Sequence, residues 1–122
     1  MVAIEPAHLV GTGGAIGALC RYYLSQRVDR PAFPLGILTV NVLGSFVLGL
    51  VTIASLDSDL VLFVGVGACG SFTTFSSFSF AAVRLWEDDR HWRAIAHASV
   101  NLAGSLAAIG LAWGLFTLWP PS

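Results

Sequence analysis

The stretch Gly65–Ser79 restricts the possible folds of this chain more than any other. It follows the apolar run Leu60–Val64 and then, within ten residues from Gly70, places one glycine, six hydroxyl side chains and three phenylalanines. Glycine permits backbone conformations outside the helical well. An interrupted helix is tolerated at membrane depth only where it is packed in protein or lines a polar path. The stretch therefore predicts an interrupted membrane helix at an ion or solute site.

The composition is typical of a membrane protein. Of the 122 residues, 56% are hydrophobic and only 11% are charged, whereas a soluble domain has about 25% charged residues. The net charge of −1, without any basic run, excludes a nucleic-acid footprint. Cys20 and Cys69 lie in apolar segments, which favours small core residues over a disulfide or a metal site.

Four stretches are long and apolar enough for membrane helices, which need about 20 mostly apolar residues. They are roughly residues 7–25, 35–55, 60–85 and 92–118. The segments between them are short and carry prolines or charged side chains, so they leave no room for a domain outside the membrane. We predict an all-α, multi-pass membrane protein whose single integral membrane domain covers residues 1–122.

The arginines predict the orientation of the chain. All six basic Lys/Arg residues are arginines, and they lie on or beside the first and third connections, at positions 21, 27, 30, 84, 90 and 93. Cytoplasmic connections carry the excess of positive charge in membrane proteins. We therefore expect the first and third connections in the cytoplasm and both termini outside.

Glycines spaced four residues apart predict close contacts between helices. Gly13 and Gly17 form one such pair, and they fit contacts inside one subunit as well as contacts at a subunit interface.

The polar residues within the spans suggest permeation rather than catalysis. The spans hold no histidine cluster, carboxylate pair or serine–histidine–aspartate set, so we expect no enzyme. His97 is alone in the fourth span and is interpreted as a core or interface residue. Asn41 needs partners for its amide, and two interpretations stay open: a hydrogen bond between helices, or a donor lining a pore. The sextet starting at Val40 recurs in similar form at Val100, so Asn41 and Asn101 could face one path.

Phe75 and Phe78 lie three residues apart, on neighbouring faces of a helix. An aromatic stripe of this kind usually belongs to a core. The edges of the rings are electropositive, however, so phenylalanines presented edge-on can also line the path of an anion. A neutral lining without lysine or arginine favours throughput over retention.

These segments together resemble the CrcB/Fluc family of fluoride channels over essentially the whole chain. The Phe-Thr-Thr-Phe-Ser-x-Phe-Ser core is highly specific, whereas the glycine pairs are not. The resemblance is carried by Gly13–Tyr22, by Val40–Asn41 with Gly44–Ser45, by Gly70 with Phe72–Ser79, and by Asn101 with Gly104–Ser105.

The resemblance implies a passive, fluoride-selective channel in the cell (plasma) membrane that exports toxic fluoride from the cytoplasm. It also implies an antiparallel dimer of the dual-topology type with two pores, in which the third helix of each subunit breaks near mid-membrane. A structural sodium ion would lie at the dimer centre, on the backbone carbonyls of Gly70 and Thr73. The matching fluoride-pore positions are Asn41, Phe75, Phe78 and Ser105.

Three positions depart from the family pattern, and Arg21 matches its first-helix arginine. Ser71 replaces a frequent second glycine, Ala81 replaces a usual glutamate, and Ile37 replaces a usual threonine. None of the three departures falls on the phenylalanine or asparagine positions, so they bear on the vestibules more than on the function.

Two other function classes compete with a fluoride channel. A small four-helix multidrug exporter requires a carboxylate at mid-membrane for proton exchange, and the nearest acid, Glu5, lies at the mouth of the first span. A non-transporting membrane assembly subunit would leave the hydroxyl-rich interruption without a role. The one-sided arginines add a further expectation: the chain inserts mainly in one orientation, so its antiparallel partner is a homologous subunit of opposite bias.

Overall fold

A computed structural model describes residues 3–120, and within that range the protein is all-helical, without a strand. Five helices follow one another along the chain. They are α1 (Pro6–Val28), α2 (Leu35–Ile53), α3 (residues 58–72), α4 (Phe75–Glu87) and α5 (His91–Leu118). The four predicted spans overlap α1, α2, the α3–α4 pair and α5, and their ends differ by at most three residues from the ends of these helices.

Local sequence signals explain where the helices begin and end. Pro6 occupies the first turn of α1, where its missing N–H has no intrahelical partner to lose. After α1, Asp29 adopts an extended backbone, and its carboxylate accepts a hydrogen bond from the Gly36 N–H at 3.3 Å. This bond satisfies one of the free donors at the start of α2.

Within residues 3–120, three helical units are long and apolar enough to cross a membrane: Leu35–Ile53, Ser58–Glu87 and His91–Leu118, with mean hydropathies of 2.0, 1.5 and 1.5. The helix α1 has sufficient length, at 23 residues, but is not among the units that meet both criteria. Its glycines and Arg21 lower its apolar character. The fourth span therefore stays a prediction.

The helix α3 packs against α1 with the two backbones in close contact. The segment Val61–Cys69 of α3 is π-helical, and the Gly70 N–H bonds to the Gly65 carbonyl five residues earlier. A Cβ on Gly13 would collide with the Phe63 carbonyl, and one on Gly17 with the Ala68 carbonyl. This glycine pair therefore makes contacts inside the subunit, the first of the two predicted possibilities.

The remaining helices pair differently. α2 packs mainly against α5, and α4 also packs against α5 rather than against α1. The core that these helices share is built mainly from small side chains, among them Val40, Ala94, Ala108 and Ala112, as expected where membrane helices approach closely. α3 thus packs against α1, whereas α4 packs against α5. The candidate site lies at the junction between α3 and α4.

Candidate functional site

The interruption predicted from Gly65–Ser79 lies at two residues, Thr73 and Thr74. Both have extended backbones, with ψ angles of 161° and 121°. Helical hydrogen bonding stops at Thr73, whose N–H still bonds to Cys69. It resumes in α4, where the Thr74 hydroxyl accepts from the Ser77 N–H at 3.1 Å as an N-cap. The break thus leaves the backbone groups of Thr74 in need of partners.

Asn41 of α2 supplies those partners. Its Oδ1 accepts from the Thr74 N–H at 2.8 Å, and its Nδ2 donates to the Thr74 carbonyl at 3.2 Å. Because Thr74 is buried, the absence of either bond would leave a backbone group unsatisfied. The second hydrogen on Nδ2 goes to Asn101 Oδ1 at 3.1 Å. Asn41 therefore connects helices, as in the first of its two interpretations, and both of its amide hydrogens are used in this conformation.

Asn101 and His97 extend this set of hydrogen bonds along α5. The Asn101 amide nitrogen donates to the His97 carbonyl at 2.8 Å and lies 3.2 Å from His97 Nδ1. His97 Nε2 lies 3.0 Å from the Phe78 carbonyl. A carbonyl can only accept, so Nε2 carries the hydrogen and Nδ1 accepts from Asn101. We call the hydrogen-bonded residues Thr74, Asn41, Asn101, His97 and Phe78 the amide–imidazole chain.

Phe75 and Phe78 follow the break on the first turn of α4. Their ring centroids are 5.8 Å apart at an interplanar angle of 35°. Phe78 also stacks on His97, at 5.0 Å and 31°. The Phe75 side chain is 80% exposed in the single subunit. One ring is thus held against the amide–imidazole chain, and the other projects from the surface of the subunit.

All four residues predicted for the pore lie on one open groove of about 340 Å³. The lining carries amides, hydroxyls, phenyl rings and leucines, with no charged side chain among its residues. Since the Asn41 hydrogens are bonded elsewhere, the hydroxyls of Ser45 and Ser105 are among the side-chain donors that the lining offers to a solute. The groove is lined by Asn41, Ser45, Leu48, Thr73, Thr74, Phe75, Phe78, Asn101, Leu102 and Ser105.

The backbone carbonyls of Gly70 and Thr73 are both affected by the break. In an uninterrupted helix the Thr74 N–H would bond to Gly70, but it bonds to Asn41 instead. The Thr73 carbonyl accepts from Arg21 Nη1 at 3.3 Å. Such oxygens are suitable ligands for a hard cation, and among residues 3–120 no group of three or more His, Cys, Asp or Glu side chains could hold a metal ion.

His97 contributes to this site although the sequence suggested only a core or interface residue. It is fully buried, at 0% exposure, and Asn101 is 4% exposed. The signal available in the sequence was the spacing of four residues between them, which places both side chains on one face of a helix.

Comparison with known proteins identifies the relatives of this chain. Residues 8–113 match the family described as CrcB-like protein, Camphor Resistance (CrcB). A "Fluoride-specific ion channel FluC 2" of Haloarcula marismortui is 62% identical over 115 residues, covering 94% of this chain and 97% of the relative. A "Fluoride-specific ion channel FluC 1" of Halobacterium salinarum is 48% identical over 108 residues, with coverages of 88% and 91%. A "Fluoride-specific ion channel FluC" of Enterobacter sp. is 38% identical over 112 residues, with coverages of 86% and 88%.

Proposed function

The chain belongs to the CrcB family, and we propose that it is a passive, fluoride-selective ion channel that exports cytoplasmic fluoride and thereby relieves its toxicity. The relatives named above are fluoride-specific ion channels. Their activity is permeation and not enzymatic catalysis. The helices that can span a bilayer make this chain a membrane protein, and we place it in the plasma membrane, where export from the cytoplasm takes place.

The observation that carries the proposal is the neutral groove at the helix break. Phe75, Phe78 and Ser105 contribute two phenyl rings and a hydroxyl to its lining, and no charged side chain is among the lining residues. Electropositive ring edges and hydroxyl donors stabilise a small anion, whereas a lysine or arginine would retain it. Asn41 holds the break on which these groups are mounted, so its role in permeation is to keep the path in shape.

The multidrug exporter is disfavoured by the positions of the acids. Of the seven carboxylate side chains, none lies in the middle of a helix. Proton exchange within the membrane requires such a group. A non-transporting assembly subunit is disfavoured by the groove, since it would have no use for a polar path beside a membrane helix.

The proposed assembly is an antiparallel dimer in which α1 is the fourth span and the break lies near mid-membrane. The exposed Phe75 ring and the open groove support a second subunit that covers this face and closes two pores. The one-sided arginines favour a homologous partner of opposite orientation. A tag at the C-terminus should be labelled mainly from outside intact cells. Equal labelling from both faces, or full flux from this chain purified alone, would favour a homodimer instead.

A structural sodium ion is the proposed cofactor of the dimer. The Gly70 carbonyl fits this ion, since the break deprives it of its helical donor. The Thr73 carbonyl already accepts from Arg21 Nη1 and would offer the ion its second lone pair. These carbonyls would hold it, and sodium would supply positive charge between two subunits that both present backbone oxygens.

Fluoride flux from liposomes tests the function. Purified protein is reconstituted in vesicles loaded with potassium fluoride, and external fluoride is recorded with an electrode after a potassium ionophore is added. We expect rapid efflux that depends on the ionophore and is unaffected by a pH gradient. Efflux that requires the pH gradient would contradict a channel, and efflux no faster than from empty liposomes would contradict fluoride transport.

A further inference from the structure

We propose that His97 is a positioning residue for fluoride permeation: acting through Asn101, it fixes the orientation of the Asn41 amide and so holds the helix break in its pore-forming shape. The inference rests on the proposed function. It concerns a fully buried histidine that does not line the groove.

The hydrogen bonds of the amide–imidazole chain have a defined direction. The Phe78 carbonyl accepts from His97 Nε2, so His97 Nδ1 is the acceptor for Asn101 Nδ2. The Asn101 amide oxygen then faces Asn41 and accepts from its Nδ2. The His97 backbone carbonyl accepts the other hydrogen of Asn101 Nδ2 at 2.8 Å, so the ring nitrogen and the backbone of His97 together keep the Asn101 nitrogen on their side and its oxygen toward Asn41.

The direction of these hydrogen bonds matters at the break. Asn41 meets both backbone groups of Thr74, and only one of its two amide orientations satisfies both bonds. Without the ring acceptor, one hydrogen on Asn101 Nδ2 would lose its partner, and only the bond to the His97 carbonyl would oppose a turn of the Asn101 oxygen away from Asn41. If Asn101 turned, its Nδ2 would face the Nδ2 of Asn41, and two N–H donors would oppose each other. Rotation of the Asn41 amide to relieve this contact would break both of its bonds to Thr74. Buried polar groups that lack partners are costly, so we expect the backbone at the break to change conformation until these groups find other partners.

The His97 ring also makes packing contacts, which can be separated from its hydrogen bonds. His97 also stacks on Phe78, and Phe33 meets its ring edge-on at 6.0 Å. A ring without nitrogen atoms would keep these contacts while losing the hydrogen bonds. Structural filling and positioning therefore make different predictions for substitutions at this residue.

Three substitutions at His97 test the proposal. His97→Asn places an amide oxygen near the former Nδ1 and keeps an acceptor for Asn101, whereas His97→Gln reaches the former Nε2 and keeps the donor to Phe78. His97→Phe keeps the ring alone. We expect fluoride flux close to wild type for His97→Asn, intermediate flux for His97→Gln, and a loss on the order of tenfold for His97→Phe. His91→Phe, near the exposed start of α5, is the matched control and should keep full flux.

The order of the variants decides the outcome. If His97→Gln equals or exceeds His97→Asn, the link to Asn101 is not the important one and the proposal is overturned. If His97→Phe keeps wild-type flux, packing alone explains the residue. A second test uses Asn101→Leu, after which His97→Phe should cause no further loss, whereas additive losses would contradict action through Asn101.

The tautomer provides a readout that does not depend on flux or on the folding of a variant. Solid-state NMR of ¹⁵N-histidine-labelled wild-type protein in lipid, assigned with His97→Asn, should show His97 protonated at Nε2 only. A tautomer protonated at Nδ1 would overturn the proposal even if the channel is active. Wild-type protein with the expected tautomer but no fluoride flux would contradict the proposed function and leave the amide–imidazole chain intact.

Discussion

The two halves of the interrupted helix differ in almost every physical respect. Before the break, α3 is glycine-rich and apolar, and it buries Gly65, Gly67 and Cys69 against its neighbours. After the break, α4 carries hydroxyls and phenylalanines and has no fully buried residue. The first half is fixed by backbone contact with α1, and the second lies on α5 with one face open. One interrupted span therefore supplies both a helix packed tightly against α1 and a helix that lines the groove. The break between them, at Thr73 and Thr74, needs hydrogen bonds from other helices.

The largest effect is expected from a change that separates α3 from α1. Gly17→Val would drive side-chain atoms into the Ala68 backbone, which a rotamer change cannot relieve. We expect a loss of roughly 3 kcal/mol or more, enough to prevent recovery of folded protein. Gly11→Val is the matched control, since no atom lies within 4 Å of its Cβ position. The yield of monodisperse protein and its thermal midpoint in detergent measure the effect. Equal yields for both variants would contradict the close packing of α3 against α1.

The next largest effect concerns the link between the two halves. Asn41→Asp keeps an acceptor for the Thr74 N–H. It loses the donor, however, so a carboxylate oxygen would face the Thr74 carbonyl and the Asn101 amide oxygen, which are both acceptors. It also places a negative charge beside the path of an anion. Fluoride flux should be abolished, and stability should fall by about 1–3 kcal/mol for the unsatisfied groups. Thr52→Val is the control on α2, because the Thr52 hydroxyl bonds only within its own helix. Wild-type flux from folded Asn41→Asp protein would exclude this path.

A smaller effect, confined to permeation, is expected from the open face of α4. Phe75→Ile or Phe78→Ile removes a ring edge while keeping an apolar side chain. Flux should fall while the dimer persists, because isoleucine loses the ring edge but roughly keeps the side-chain volume. Phe80→Ile is the comparison on the same helix, because Phe80 does not line the groove. Equal flux for Phe75→Ile and Phe80→Ile would show that the groove is not the fluoride path.

The smallest effect is expected from ion replacement at the end of α3. Complete exchange of sodium for N-methylglucamine on both sides should weaken dimer assembly or slow fluoride flux. The reason is that the carbonyls proposed to hold the ion, those of Gly70 and Thr73, would lose their cation. Dimer content by size-exclusion chromatography and flux from liposomes are measured in parallel. If neither quantity changes, the sodium site is absent or another group fills it, which leaves the channel assignment intact.

Much of this molecule could be predicted from its sequence. The all-helical fold and the interruption in the third helix followed from hydrophobic runs and from one polar, glycine-containing stretch. The expected pore residues Asn41, Phe75, Phe78 and Ser105 lie on one groove, although their role in fluoride conduction stays a prediction. The interpretation of His97 as a core or interface residue agrees with its full burial, whereas its hydrogen bonds to Asn101 and Phe78 depend on the packing of α4 against α5 and were not predicted.

The sequence by itself determined which segments need the membrane and which segment cannot remain a regular helix, because apolar content and local residue type act over a few turns. Only the tertiary structure decided how the break is satisfied. The bonds from Asn41 reach residues 33 and 60 positions away along the chain, and their directions depend on the packing of α2, α4 and α5. An amide can donate or accept in either orientation, so its role is set by the partners that the fold places around it.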